Sequence, residues 1–423
     1  MPTFAINTLG CKVNLYESEG YIDALRKKGF KQVDFKEIAD IYIINTCAVT
    51  NTAASKSRQK IHQAQRQNEN AIICVVGCLI QTTTQDLGVD LLIGSSRKNE
   101  LADMVEKVYR DKVKLNLIED MSLKHSFENL HVYEFSEHTR AFLKIQDGCN
   151  QFCSYCIIPY ARGRERSMPL EEVIEASKKL VASGHKEIVL SGIHTGRYGH
   201  DIGSNLTELL KEMVKIEGLL RIRISSIEMN EVSDELLNLM EQEKKIARHL
   251  HIPVQSACNR TLSMMNRPYT IERFMERVKF IRERFENISI STDIILGFPD
   301  ESEEDFKVTL DNLHKIQFSF MHIFPFSKRD GTKACEIKNH LNNAEKKQRV
   351  KEVSILSKNQ YNVYKEGFIG KDVEVLFEYE KDGFLFGHSG EYIPVMAKLD
   401  ASKLNTIQKV KIKYLKEDTL YSE

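Results

Sequence analysis

The sequence lacks tryptophan altogether and has only 8 prolines and 21 glycines in 423 residues. So little proline and glycine excludes collagen-like and low-complexity chains, and the 42% of hydrophobic residues is enough to form folded cores. No apolar run approaches the roughly 20 residues that a membrane-spanning helix needs, and the first residues carry no secretion signal. We therefore expect a globular, cytoplasmic protein without a membrane partner.

The sequence also lacks net charge, since its 60 basic and 60 acidic residues cancel. No overall basic field can attract a nucleic acid, so any such surface must come from a local patch. The length predicts about three domains. Nine cysteines, an odd number in a chain without a secretion signal, argue against a disulfide framework and favour metal or redox chemistry.

The first part of the chain, residues 1–112, alternates apolar runs with helical stretches, which is the pattern of a parallel α/β sheet. Three of its predicted strands end in turns that carry Cys11, Cys47 and Cys78. Because the carboxyl ends of parallel strands share one edge of a sheet, we expect these thiols to converge there. Cys74 lies inside a strand and is predicted to be a buried apolar residue rather than a ligand.

The remaining pattern predicts two further domains. Residues 113–138 have weak periodicity and are predicted to be a linker. In residues 139–366, six short apolar runs alternate with helical segments, which indicates a partial (β/α)6 barrel. Residues 367–423 alternate apolar and polar positions between turns and predict a small antiparallel β-barrel. The fold class is therefore α/β, followed by a β-barrel.

The sharpest motif is CNQFCSYC, which places Cys149, Cys153 and Cys156 directly after the first strand of the predicted barrel. A loop with this spacing can wrap three thiolates round one 4Fe–4S cluster and leave the fourth iron open for a ligand. The alternative is a zinc knuckle, but that needs two cysteine pairs or a histidine at zinc-finger spacing, which this sequence does not have. The loop thus predicts an iron–sulfur site at the catalytic rim of the barrel.

This loop resembles that of the radical S-adenosylmethionine (SAM) enzymes, and GCNQFCSYCIIPYARGRERS resembles their methylthiotransferase branch. The strings LSGIHTGRYG, HIPVQSACNRTLSMMNRPYT and STDIILGFPDESEEDF resemble the same branch in the same order. The resemblance implies a 4Fe–4S cluster at Cys149, Cys153 and Cys156. It implies a second 4Fe–4S cluster at Cys11, Cys47 and Cys78, which fall in the strings LGCKVN, NTCAVT and GCLIQ. The C-terminal barrel resembles the RNA-binding TRAM module.

The resemblance also implies the residues that bind SAM. They are Tyr155 in the cluster loop and residues at strand ends, namely Ser191, Gly192, Ser225, Glu228, Gln255, Ile295 and Gly297. Small residues at strand ends also serve plain turn geometry. Ala257 and Cys258 depart from the usual Gln-Ser-Gly-Ser string of the family, so a backbone approach that needs glycine is not expected there.

The strings TLGCKVN and NTCAVTNTAASKSRQKI are most similar to the branch that adds a methylthio group to C2 of N6-threonylcarbamoyladenosine at tRNA position 37. The isopentenyladenosine branch usually has Gln-Met in place of Lys12-Val13. Three alternatives stay open: the same reaction on N6-isopentenyladenosine in tRNA, the same reaction on a ribosomal-protein aspartate, and a non-catalytic iron–sulfur protein that binds RNA. The resemblance implies a tRNA anticodon stem-loop as partner and an electron donor such as flavodoxin or ferredoxin, and we expect a monomer.

Two groups of basic residues are candidates for RNA contact. Arg162, Arg164 and Arg166 follow the cluster loop and could reach stem phosphates, although pairing with rim carboxylates is the alternative. In the C-terminal barrel, Lys409, Lys411 and Lys413 share one strand parity, so we expect them on the outer face with Val410 and Ile412 facing the core. A strand face kept soluble by lysines is the alternative there.

Overall fold

The computed structural model describes residues 1–124, 126–133, 135 and 139–422. The predicted linker, residues 113–138, includes five residues outside these ranges and is therefore described only in part. In the described part of the chain, no helix is both long and apolar enough to cross a bilayer.

The first domain is one parallel sheet with helices on its faces. Its six strands lie in the order β2-β1-β3-β4-β5-β6. The elements are β1 (Thr3–Thr8), α1 (Lys12–Lys27), β2 (Lys31–Gln32), β3 (Ile41–Thr46), α2 (Asn51–Gln67), β4 (Ile72–Gly77), α3 (Cys78–Thr82), β5 (Leu91–Ile93), α4 (Leu101–Asp111) and β6 (Leu115–Asn116). Every residue of β3 and β4 is buried, because helices cover both faces of the sheet.

The sheet runs past the boundary that the sequence predicts at residue 112. Strand β6 pairs in parallel with β5, so the first residues of the predicted linker complete the sheet. Two residues of strand give no periodic signal, which is why the sequence does not reveal this strand.

The central part begins with the three short strands and helices that surround the cluster loop. They are β7 (Arg140–Lys144), β8 (Gln146–Asp147), α5 (Ile158–Arg162), β9 (Arg166–Ser167) and α6 (Leu170–Ala182). The rest of the barrel comprises β10 (Glu187–Ser191), α7 (Leu206–Met213), β11 (Arg221–Ile224), α8 (Asp234–Gln242), β12 (His249–His251), α9 (Asn259–Met264), α10 (Ile271–Arg284), β13 (Ser289–Leu296), α11 (Glu303–Ile316), β14 (Phe320–Pro325), α12 (Lys333–Glu336) and α13 (Asn343–Glu366).

The six predicted barrel strands are confirmed as β7, β10, β11, β12, β13 and β14. They form two parallel sheets, β11-β10-β7 and β12-β13-β14, which single parallel bridges join at Ile222–Ile246 and Ser226–His251. The barrel is therefore open between β7 and β14. Ser302 and Asp305 form a capping box at the start of α11, since each side chain bonds the other's backbone N–H.

The chain ends in a closed five-stranded barrel, ordered β15-β16-β17-β19-β18. Its strands are β15 (Asp372–Lys381), β16 (Phe384–Ser389), β17 (Pro394–Lys398), β18 (Ile407–Lys416) and β19 (Thr419–Ser422). The pairings are antiparallel except between β17 and β19, which run parallel. This barrel packs under the amino-terminal ends of the central strands, where Arg221 donates to the carbonyls of His388 and Glu374.

Candidate active site

The turns after β1 and β3 bring Cys11 and Cys47 together at one edge of the first sheet. Gly10 has φ +104°, and a Cβ there would lie 2.8 Å from the Cβ of Cys47, so only glycine allows this approach. The Asn14 amide ties the two turns together by donating to the carbonyls of Leu9 (2.7 Å) and Thr46 (2.9 Å). Local turn geometry therefore brings these two thiols side by side.

Cys78, the first residue of α3, is the third thiol at this edge. Burial raises the pKa of Cys11, and the nearby charge of an ionised Cys78 raises it further. Burial raises the pKa of Cys47 to about 11, with ionised Cys78 and Cys11 adding to the effect. The convergence expected from the strand ends is present in the structure. We refer to Cys11, Cys47 and Cys78 as the sheet-edge triad.

Cys74 takes no part in the sheet-edge triad. It lies within β4, where it pairs with Ile43 and Leu91, and it is completely buried in the hydrophobic core. Burial raises the pKa of this thiol far above its usual range.

The loop from Cys149 to Cys156 lies at the carboxyl end of β7 and is held from two sides. Gly148 has φ +72°, and a Cβ there would come within 1.9 Å of the Arg164 carbonyl, so the chain needs glycine before the first cysteine. Ser154 fixes the other end, because its N–H donates to the carbonyl of Met265 and its hydroxyl donates to that of Met264. We call Cys149, Cys153 and Cys156 the loop triad.

Each of two loop-triad thiols has a cationic neighbour that sequence reasoning missed. Arg267 Nη1 lies 3.6 Å from Cys153 Sγ, and burial raises the pKa of that thiol while Arg267 opposes the rise. His194 Nδ1 lies 3.5 Å from Cys149 Sγ, and His194 Nε2 lies 2.7 Å from Glu231. Burial would lower the pKa of His194, but Cys149 and Glu231 raise it to about 10.

Both triads suit an iron–sulfur cluster better than a single metal ion. In the described part of the chain, no three cysteine sulfurs lie within 4.8 Å of one another. A tetrahedral zinc ion with Zn–S bonds of about 2.3 Å would hold its sulfurs about 3.8 Å apart. A cubane cluster places its external thiolates on different irons and so spreads them further. The wide spacing of the thiols therefore fits the larger group.

The charges beside the sheet-edge triad also favour an iron–sulfur cluster. Among the described residues, four buried cations lie beside this triad, Lys98, Lys144, Arg162 and Arg166, against two buried carboxylates, Glu17 and Asp147. Burial would raise the pKa of Glu17, but Arg162, Lys98 and Lys144 outweigh it and hold that pKa far below its usual range. Buried charges need partners, and thiolates bound to a cluster would supply the missing negative charge.

The structure corrects the prediction that Arg162 and Arg166 reach RNA phosphates. Arg162 is fully buried and donates to Cys78 Sγ (3.2 Å), Glu17 (2.9 Å) and Asn14 (2.8 Å). Arg166 is buried too, and it donates to the Arg162 carbonyl. Both guanidinium groups therefore bond to other groups inside the protein, which agrees with the alternative that these arginines pair with carboxylates.

Arg164, between the two buried arginines, is exposed. It lies over the Phe152 ring, with its guanidinium carbon 4.7 Å from the ring centroid. Of the three arginines, it alone remains a candidate for RNA contact.

The residues predicted to bind SAM lie at the carboxyl ends of the barrel strands, on the side of the loop triad. The Ser191 hydroxyl is buried without a hydrogen-bond partner among the described residues, as expected of a group that waits for a ligand. Ser225 Oγ lies 3.1 Å from Thr195 Oγ1. Gln255, at φ +66°, and Ile295 come from adjoining strand ends, since the Ile295 N–H donates to the Gln255 carbonyl.

The other predicted SAM residues already have structural partners. Glu228 accepts from Arg267 Nη1 at 3.0 Å, and the N–H of Gly297 donates to Glu301 at 2.7 Å. Gly192 packs closely on Gln146, since a Cβ there would lie 3.1 Å from it. Tyr155 packs against a buried apolar cluster that includes Met265. Cys258 donates to Asp305 (3.3 Å), and the Ala257 carbonyl accepts from Asn312, so neither site requires glycine.

The lysine row of the C-terminal barrel has the predicted parity. Lys409, Lys411 and Lys413 are exposed on β18, whereas Ile412 is buried and Val410 is half-buried. Lys409 Nζ lies 3.4 Å from Asp372 on the neighbouring strand, so part of its charge is offset.

Comparison with known proteins agrees with this geometry. Residues 143–313 match the family model described as Radical SAM superfamily, and residues 3–92 match the one described as Uncharacterized protein family UPF0004. The threonylcarbamoyladenosine tRNA methylthiotransferase MtaB of Bacillus subtilis is 39% identical over the whole of this chain and 96% of its own length. The chain belongs to the radical SAM methylthiotransferase family.

Other proteins of this family are also similar to this chain. The MtaB protein of Aquifex aeolicus is 42% identical over 88% of this chain and 92% of its own. A tRNA-2-methylthio-N(6)-dimethylallyladenosine synthase of Thermotoga petrophila is 35% identical over 91% of this chain and 88% of its own. Among solved structures, the radical SAM methyltransferase TsrM of Kitasatospora setae has the same fold at a TM-score of 0.59 and 14% identity, covering 79% of this chain and 76% of that one.

Proposed function

We propose that this methylthiotransferase adds a methylthio group to C2 of N6-threonylcarbamoyladenosine at tRNA position 37, using two 4Fe–4S clusters held by the two cysteine triads. The observation that carries the proposal is how closely the two cluster regions are joined. Ala48 and Cys78 of the first domain pack directly against Ile157 and Ala161, which follow the loop triad. Arg162 continues this segment and bonds Cys78. A base held between the triads would therefore face both.

When bound, SAM and the loop-triad cluster would supply a 5′-deoxyadenosyl radical, and the sheet-edge cluster would supply the sulfur. The protein's own residues hold these groups and the base. Ser191 offers a free hydroxyl to SAM, while Arg267 and His194 place positive charge beside Cys153 and Cys149. Burial raises the pKa of Cys156 to about 12, so its thiol must lose a proton when iron binds.

The alternatives differ in how well they explain the structure. A non-catalytic iron–sulfur protein would not need a second triad with an open position, because structural clusters are normally closed by four ligands. A ribosomal-protein substrate is basic, whereas the exposed face of β18 carries Lys409, Lys411 and Lys413 and so favours an RNA. Methylthiolation of N6-isopentenyladenosine in tRNA is the alternative most similar to the proposal, since it needs the same two clusters and the same reaction.

The proposal includes partners that fit this chemistry. An anticodon stem-loop would lie across Arg164 and the lysine row of β18, with the target base extruded from its stack, because C2 cannot be reached inside a stacked loop. A small electron-transfer protein such as flavodoxin or ferredoxin would reduce the loop-triad cluster. The protein would act as a monomer in the cytoplasm.

The experiment is a methylthiolation assay with protein reconstituted without oxygen. Two synthetic anticodon stem-loops, carrying threonylcarbamoyladenosine or isopentenyladenosine, are incubated with SAM and a reductant and digested for nucleoside mass spectrometry. We expect a methylthio product from the first hairpin and little from the second. A product from the isopentenyl hairpin alone would show that isopentenyladenosine is the substrate instead. Radical cleavage of SAM without either product would support the radical SAM chemistry but refute both RNA substrates.

A further inference from the structure

Lys12 is an exposed cation that forms no ion pair among the described residues. It follows Cys11 directly and is the first residue of α1. The side chain remains solvent-accessible, yet protein atoms enclose it closely enough for burial to lower its pKa. Within the described residues its ammonium makes no salt bridge, and the charges that act on it belong to the central and C-terminal barrels. Lys12 therefore lies where the first domain meets the other two, and we call the space beside it the recess.

The walls of this recess carry charges of both signs. Arg221 and Arg223 share one carboxylate, Glu187, and Arg140 is paired with Glu378. Asp293 and Glu391 also act in this region, so the arginines have carboxylates near them, whereas Lys12 forms no ion pair among the described residues.

Tyr392, in the same recess, responds to this field. Burial would raise the pKa of its phenol, but Arg140, Lys12 and Arg223 lower it below its usual value. An anion that enters the recess would meet an attractive potential.

A polar wall lies on the strands that also line the predicted SAM site. His251, Asp293 and His322 come from β12, β13 and β14, and each has a ligand atom within 4.8 Å of the others. The Ser291 hydroxyl contacts His251 Nδ1 at 2.9 Å, while His251 Nε2 lies 3.3 Å from Asp293. The charge of Lys12 acts on His322, so the wall and the ammonium border one space. This space offers hydrogen-bond donors, one acceptor and one unpaired cation.

These groups match the chemistry of the substituent on the target base. In adenine, C2 and the N6 group lie on the same Watson–Crick edge, on either side of N1. A residue next to Cys11 can therefore reach the N6 substituent while the sheet-edge triad faces C2. The threonylcarbamoyl group ends in a carboxylate and carries a hydroxyl and amide groups, whereas an isopentenyl group has neither charge nor polar atoms.

We propose that Lys12 is the specificity-determining residue that binds the carboxylate of the N6 substituent, with His251, Asp293 and His322 bonding its neighbouring polar groups. This inference rests on the proposed function and adds how the substrate is recognised. A site built to bond a charged group rejects the analogue that lacks the charge, because the polar groups of the site are then left without a partner. Removing either partner should cost about ten- to a hundredfold in kcat/KM.

The test compares two anticodon stem-loops, one with threonylcarbamoyladenosine and one with its threonine methyl ester, which removes only the negative charge. The wild-type protein should prefer the acid about ten- to a hundredfold. In Lys12→Gln, kcat/KM should fall by this factor on the acid and stay unchanged on the ester, so that the preference disappears. Lys12→Arg should restore part of the preference. Lys36→Gln, at an exposed lysine of the first domain, should keep the full preference.

Three outcomes would overturn the inference while the proposed function stands. The first is a Lys12→Gln variant that still prefers the acid. The second is an equal loss on acid and ester with normal iron content, which would make Lys12 a general part of the chemistry. The third is one divalent ion per chain, beyond the cluster irons, that disappears in His322→Gln while Lys12→Gln keeps the preference. If the wild-type protein modifies neither hairpin, the proposed function itself fails.

Discussion

One buried arginine joins the two halves of the site. Arg162 bonds a thiol of the sheet-edge triad, two carboxylates and Asn14, all beneath the surface. Arg162→Gln would break the buried hydrogen bonds to Glu17, Asp147 and Asn14, and we expect it to destabilise the cluster-free chain by about 3 kcal/mol. Urea unfolding measures the change.

The matched control is Arg164→Gln, two residues along the chain. Arg164 is exposed and contacts Phe152, so its loss should cost less than about 1 kcal/mol. That variant should instead weaken binding of the anticodon stem-loop. Equal destabilisation by the two variants would contradict the role assigned to Arg162.

The cysteines allow a sharper test at the same scale. Because the two triads lie in different domains, Cys153→Ala should remove roughly four irons and abolish SAM cleavage, while Cys47→Ala should remove a similar number and spare that cleavage. Iron analysis and quantification of 5′-deoxyadenosine measure both effects.

Cys74→Ala is the control for these variants, since Cys74 is buried in β4 away from both triads. Its iron content should not change. A loss of about half the iron in Cys74→Ala, or of all iron in Cys47→Ala, would show that the ligand sets are wrong or not independent.

Functional residues could be predicted where their positions in the sequence alone indicate a site. The loop triad is local, and the sheet-edge triad follows from the rule that parallel strands end at one edge. Arg162 was predicted to face RNA because its burial depends on Glu17 and Asp147, which are distant in sequence. Arg267 and His194 were missed for the same reason, since each meets its cysteine only through tertiary structure.

At the scale of elements, the contact between the central and C-terminal barrels depends on Glu187 at the start of β10. Burial would raise the pKa of this carboxyl, but Arg223 and Arg221 lower it from 4.5 to about 2. A depressed pKa means that the charged form stabilises the fold above about pH 4.5 and that this stability is lost as the pH falls towards 2. We therefore expect acid to weaken this interface.

Glu187→Gln should lower the stability of the cluster-free chain at pH 7 by an amount on the order of 2 kcal/mol and flatten its decline below pH 4.5. Circular dichroism during acid titration measures this change. Glu374→Gln is the control, because only the backbone carbonyl of Glu374 accepts from Arg221. If both variants titrate like the wild type, Glu187 does not hold the interface.

The lysine row of β18 gives a second prediction for an element. Replacing Lys409, Lys411 and Lys413 by Gln should weaken binding of tRNA and flatten the log–log salt dependence by about two units, since each neutralised phosphate contributes roughly 0.7 to 0.9. We expect fewer than three units because Asp372 offsets part of the charge of Lys409. Fluorescence anisotropy at several salt concentrations measures the slope.

The control replaces three lysines of the central domain, Lys211, Lys215 and Lys244, which are also exposed. This variant should keep the wild-type slope. An unchanged slope in the β18 variant would mean that its lysines only keep a strand face soluble.

Strands that lie in an apolar run between helical stretches could be predicted, and short strands without such a run could not. The sequence predicts β3, β4 and the six barrel strands because each is an apolar run between helical stretches. Strands β2 and β6 have two residues each, and β19 has four, so pairing with neighbours rather than composition creates them. For β19 this includes the parallel pairing with β17.

At the scale of the whole molecule, the proposed site draws on all three parts of the chain. The first domain brings the sheet-edge triad and Lys12, the central barrel brings the loop triad and the polar wall, and the C-terminal barrel closes the amino-terminal end of the central strands. The order of these parts could be predicted from the sequence. Their contacts could not, because they depend on side chains that are far apart in the chain and close only after folding.

The central claim is that both triads are needed to methylthiolate one nucleoside of tRNA, and the most direct measurement is nucleoside mass spectrometry of cellular tRNA. Cells without this gene should contain N6-threonylcarbamoyladenosine but not its 2-methylthio derivative. The wild-type gene and Cys74→Ala should restore the derivative, and Cys47→Ala and Cys153→Ala should each fail to do so. A full level of the 2-methylthio nucleoside in cells without the gene, or its restoration by Cys47→Ala, would contradict the account.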